Sequence, residues 1–177
     1  MNLFSQLAKK LNLTHDPAPP RPGLTLCLLQ RRLERYTTER LNAAMQAAWG
    51  RAYDRTTFFG MNLDDENGLI KFNELYIPIY YHEHRLGAEE LGASSLPGWA
   101  DHSAFSRIDF VPGGEGLPTS EARHAFCGFI GLLAVELANE LTTAFFYKED
   151  GVFLRRDRLT REMILASDKS FDPHSAA

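Results

Sequence analysis

The chain has little cysteine, no excess of positive charge and no long hydrophobic run, and each shortage removes a class of protein. Only two of its 177 residues are cysteine, Cys27 and Cys127. A small scaffold stapled by disulfides needs more than one pair and a secretory context. Both cysteines lie in apolar runs, LTLCLLQ and AFCGFIG, where a thiol behaves as a small buried hydrophobe. Lys and Arg number 19 against 23 Asp and Glu, a formal charge of −4. That balance offers nucleic acid no basic footprint and anionic lipid no attraction. No apolar run is long enough to span a bilayer. The opening MNLFSQLAKKLNLTHD has neither a long apolar h-region nor a small-residue cleavage site, so it does not read as a signal peptide. The expectation is a cytoplasmic protein that binds neither nucleic acid nor membrane.

What is present suits one folded domain: 44% hydrophobic and 24% charged residues, with enough length for a real core. Leu3, Phe4, Leu7 and Leu11 recur at helical spacing, and so short a helix must dock, either on its own domain or on a partner. THDPAPPRPG then forms a stiff, extended linker, because proline fixes φ and lacks an amide hydrogen. Residues 1–22 are therefore read as helix and linker, 23–157 as a single α+β domain, and 158–177 as a short helix with a frayed tail. Within the domain, 23–32, 56–63, 69–84, 102–111 and 142–156 read as strand-bearing, with Asn67-Gly68 as a hairpin signal and Pro78 marking an edge or a bulge. The segments 36–53 and 119–145 read as helices capped by Thr37 and Thr119.

The two halves run in parallel: strand, loop, Thr-Thr-Glu, helix, TTFF; then strand, loop, Thr-Ser-Glu, helix, TTAFF. A pair of β-α-β units sharing one sheet predicts a ferredoxin-like two-layer sandwich. Its sheet would be mainly antiparallel, with two helices packed on one face. Gly128 and Gly131 inside the second helix each cost about 1 kcal/mol against alanine, so their smallness predicts close packing of that helix on its own sheet, with a dimer contact as the alternative.

The strongest chemical signal is YYHEH, residues 80–84. His82 and His84 fall on the same face of a strand, and two imidazoles so placed, with a third ligand, suit a metal ion. His102, Glu89 and Asp101 are the candidate third ligands. The spacing His82-x-His84-x₄-Glu89 resembles the first metal motif of cupins. A long helix at 119–145 does not suit a jelly-roll barrel, which also needs many more short strands. The plainer reading is a strand end entering water. VPGGEG lacks the Gly-Lys-Ser/Thr of a phosphate-binding loop. Cys127 and His124 on one helix lack the surroundings that lower a thiol pKa. Tyr76, Tyr80, Tyr81 and Trp99 are the rings most suited to line a ligand groove.

These readings converge on a non-catalytic α+β module acting by association, as a homodimer or with a protein partner or small ligand, with no cofactor. The alternative is a metal-dependent hydrolase or oxygenase holding a divalent ion on His82, His84 and His102.

Overall fold

Thr37 and Thr119 each open a helix. The Thr37 hydroxyl accepts the Arg40 amide at 3.2 Å at the start of α1, Thr38–Trp49, and Thr119 accepts that of Ala122 at 3.2 Å at the start of α2, Ser120–Leu137. Each bond satisfies an amide that the first turn would otherwise leave open. The first helix stops at Gly50, whose φ of 67° lies in the left-handed region that glycine enters without a Cβ clash. The second stops before the sequence pattern suggests. The Asn139 side chain accepts the Leu141 amide at 2.9 Å, turning the chain out of the helix and into the next strand. The computed structural model describes residues 23–73, 75–87, 101–110, 119–167 and 170–177. The expected N-terminal helix, the proline linker, Glu89, Trp99 and the VPGGEG loop lie outside the described residues.

The strands are β1 (Leu24–Gln30), β2 (Phe58–Asn62), β3 (Asn67–Phe72), β4 (Leu75–His82), β5 (Ala104–Phe110), β6 (Thr142–Tyr147) and β7 (Val152–Arg155), followed by the short α3, Arg161–Ala166. They form one antiparallel sheet in the order β2-β3-β4-β5-β1-β6-β7. The α+β class and the mainly antiparallel sheet are as expected. The sheet is larger than a four-stranded ferredoxin-like sandwich, however, and among the described residues three helices rather than two contribute to its core. Each long helix still links two parallel strands, β1 to β2 and β5 to β6, but neither pair is adjacent. β1 lies between β5 and β6, and three strands separate β1 from β2.

Alternation along the strands sorts the side chains onto two faces. Leu24, Leu26 and Leu28 of β1, Ile77 and Ile79 of β4, Ile108 of β5 and Phe145 of β6 enter the main core. There they meet Leu41 and Met45 of α1, Ile130 and Leu133 of α2 and Ile164 of α3. The smallness of Gly131 has the expected use: a Cβ there would lie 2.6 Å from the Tyr147 hydroxyl and 3.1 Å from Ile164 Cδ1. Beyond α3 the tail is packed rather than frayed, with Phe171 and Ala176 in the same core. The opposite face, which carries no helix from among the described residues, has its own buried cluster: Cys27, Leu29, Leu86, Phe105, Phe146 and Phe153.

Two local expectations differ from what forms. Asn67-Gly68 begins β3 instead of making the turn, because the Asp64 carboxylate accepts from the Glu66 amide at 2.8 Å and from Asn67 Nδ2 at 3.0 Å, closing the turn one step earlier. Pro78 sits in an interior strand and not in an edge strand or a bulge, on a stretch of β4 paired with β3 alone. The β4–β5 ladder begins at Ile79, so the proline falls just beyond the end of that ladder.

Candidate functional site

On the helix-free face, β4 presents Tyr76, Pro78, Tyr80 and His82, β5 presents Phe105, Arg107 and Asp109, and β1 presents Thr25, Cys27 and Leu29. The middle of this surface is polar amid apolar neighbours. Arg107 lies over the Tyr80 ring, its guanidinium carbon 4.4 Å from the centroid, and Nε lies 3.2 Å from Asp109 Oδ2. Thr25 donates its hydroxyl to Asp109 Oδ1 at 3.1 Å. Burial holds the Asp109 carboxyl above its ordinary pKa, with Arg107 and then the Thr25 hydroxyl pulling it back down. Arg107 keeps 33% of its side chain exposed and Asp109 keeps 23%. Both charges are thus held in place and reachable from outside.

The four rings expected to line a groove do not act together. Tyr76 and Tyr80 share the helix-free face and are half-buried. Tyr81 points to the helix side, is buried, and its hydroxyl accepts the Tyr36 amide at 3.3 Å. Burial pushes its phenol up to about 12. The period-2 rule alone separates Tyr80 from Tyr81. Trp99 is outside the described residues.

His82 and His84 do come together, with ring centroids 5.4 Å apart, and His82 stacks on Phe105 at 4.3 Å. His84 donates from Nδ1 to the Arg85 carbonyl at 3.0 Å, since a carbonyl can only accept. His102 is buried, and its Nε2 accepts the Leu86 amide at 3.1 Å, which commits that lone pair. Glu83 between the two histidines pairs with Arg35 at 2.7 Å. Among the described residues, no group of three His, Cys, Asp or Glu is gathered closely enough to hold an ion.

Both thiols are buried. Burial, then the nearby Asp109, pushes Cys27 up to about 12, and burial, then Asp150, does the same to Cys127. A thiol held there is a poor nucleophile at neutral pH. Arg107 and Asp109 were the residues that sequence reading passed over. Their signal is the alternation in AFSRIDF, where two charges fall on the same face as Phe105.

No helix among the described residues is long and apolar enough to cross a membrane. No family model matches the chain, and neither a curated protein nor a solved structure does.

Proposed function

We propose that the chain is a non-catalytic association module that forms a homodimer through the helix-free face of its sheet. The observation that carries this reading is the Arg107–Asp109 pair, two residues apart on one strand and held by Tyr80 and Thr25. A cation beside an anion, both partly exposed on one strand face, is self-complementary. Across a two-fold axis each Arg107 meets the partner copy's carboxylate and each Asp109 the partner copy's guanidinium, the geometry of an isologous interface. Half-buried Tyr76, Pro78 and Tyr80 supply apolar surface around it, and tyrosine and arginine are the residue types favoured where binding energy concentrates.

Sedimentation velocity over a dilution series tests it. The wild-type chain is expected to dimerise, and Arg107→Asp to weaken the dimer by about 2–5 kcal/mol, because two buried charge pairs turn repulsive. Exchanging the charges, Arg107→Asp with Asp109→Arg, should restore association. A wild-type chain that stays monomeric when concentrated, or an Arg107→Asp variant that dimerises as well as wild type, would overturn the proposal.

A second reading rests on the 5.4 Å between the His82 and His84 rings, a separation compatible with two imidazoles on one tetrahedral ion. It places a divalent metal there and makes the chain a hydrolase or oxygenase. Elemental analysis of the purified chain decides it: stoichiometric metal, lost in His82→Ala, supports the enzyme, and its absence from the wild-type protein sinks it.

A further inference from the structure

The strands β1 and β7 both run antiparallel to β6, which lies between them. They are therefore parallel, and both end at the edge of the sheet where β6 begins. Each ends in an Arg-Arg pair: Arg31-Arg32 follows β1, and Arg155-Arg156 closes β7. The strand order thus gathers two basic dipeptides that lie far apart in the chain. Between them is a groove of about 410 Å³ lined by Arg31, Asp101, Glu140, Thr142, Thr143, Arg155 and Arg156. A second opening shares Arg155, Arg156 and Thr143 with it.

The backbone is shaped for this opening. The β1–β6 register shifts between Leu29 and Gln30, so that Ala144 and Thr142 have β1 partners while Thr143 is the extra residue of a bulge. Bulges at strand ends re-aim side chains and recur beside binding sites. The Thr143 hydroxyl is anchored on the Leu29 carbonyl at 3.2 Å. The cations are only partly answered. Arg155 pairs with Asp157 at 3.2 Å, but among the described residues no carboxylate pairs with Arg31 or Arg156, although Asp101 and Glu140 line the same groove. The lining sets three guanidiniums against two carboxylates, and the planar guanidinium forks of Arg31 and Arg156, without a carboxylate partner among the described residues, match phosphate oxygens.

We propose that this groove is a binding site for the phosphoryl group of a small soluble ligand. Arg31 and Arg156 are its principal donors, Arg155 and the Thr143 bulge form its wall, and Glu140 weakens it. The groove lies at the strand ends of β1, β6 and β7, apart from Arg107 and Asp109 on β5, and its test does not depend on the dimer.

Inorganic pyrophosphate titrated into the isotopically labelled full chain, at constant ionic strength, is the probe. Saturable amide shifts at Thr142, Thr143, Arg155 and Arg156 are expected. The double variant Arg31→Gln, Arg156→Gln should weaken binding by roughly tenfold or more, as lost charge-assisted hydrogen bonds require. Glu140→Gln should strengthen it severalfold. All three positions are exposed, and a thermal melt checks that each variant folds. If the double variant does not fold, the strengthening by Glu140→Gln decides. Absence of saturation, shifts confined to another part of the sheet, or indifference to these substitutions would overturn the proposal.

Discussion

Neither cysteine of the folded chain is expected to react with a disulfide reagent such as Ellman's at pH 8, while two equivalents react at once in denaturant. Burial, first, raises both thiols from 9.0 to about 12, with the neighbouring Asp109 and Asp150 adding to it. Attack needs the thiolate. A rise of that size cuts the thiolate fraction at pH 8 roughly a thousandfold, because each pKa unit is a factor of ten. Steric exclusion acts in the same direction: Cys27 lies in the buried cluster with Phe105 and Phe146, and Cys127 is enclosed by the helix packing. Modification in the native state should therefore follow opening of the fold, with a rate that climbs with denaturant as global unfolding does. The readout is thiol absorbance against time. One equivalent released rapidly without denaturant would mean that at least one thiol is accessible and would return it to consideration as a reactive group.

Gly131→Ala is expected to destabilise the chain by about 2–4 kcal/mol, an unusual cost for adding one methyl group to a helix. Helix propensity alone favours alanine by about 1 kcal/mol. Against it stands the Tyr147 hydroxyl, which donates to the Cys127 carbonyl at 3.0 Å and lies 2.6 Å from where the Cβ would be. The methyl must push away that hydroxyl, breaking a buried hydrogen bond that costs about 1–3 kcal/mol to leave unmade. It also crowds Ile164 at 3.1 Å, and overpacking adds about 1–3 kcal/mol. Gly128→Ala is the internal control: its nearest neighbours are Phe171 Cβ at 3.3 Å and Ile164 Cγ2 at 3.5 Å, so it should stay within about 1 kcal/mol of wild type. Urea unfolding measures both. Adding Tyr147→Phe to Gly131→Ala should cost less than the sum of the two single changes, since the displaced hydroxyl is then gone. Strict additivity would show that the hydroxyl is not what forbids the methyl.

The local signals were legible where the chain settles its own geometry. Thr37 and Thr119 cap helices because a hydroxyl at that position meets an amide two or three residues on, whatever the rest of the chain does. The Lys148–Gly151 turn forms because Gly151, at φ 65°, takes a left-handed position. The hairpin signalled by Asn67-Gly68 forms, but with that pair as the start of β3: Asp64 accepts the Glu66 amide and the Asn67 side chain, so the chain reverses before them. Strand order was out of reach because it depends on which buried rows match across the sheet. The Leu26–Ile108 and Leu26–Tyr147 pairings join segments with no local relation. The same holds for the two sites. Arg107 with Asp109 was visible as alternation but not as a supported pair, since Tyr80 and Thr25 come from other strands. The basic groove was invisible, because Arg31 and Arg156 meet only once β6 has been placed between their strands. The YYHEH cluster drew attention through composition, yet pleating sends Tyr80 and Tyr81 to opposite faces.

The seat of β1 also bears on how the protein is made. β1 leaves the ribosome well before the two strands that flank it, β5 and then β6. Until synthesis passes residue 147, at least one edge of an apolar LTLCLLQ segment has no native partner, and an unpaired hydrophobic edge is a template for misassociation. Translation pauses, or truncation anywhere before β6, should therefore send nascent chains toward chaperones or inclusion bodies, and the two halves of the gene should fail to yield soluble fragments when expressed apart.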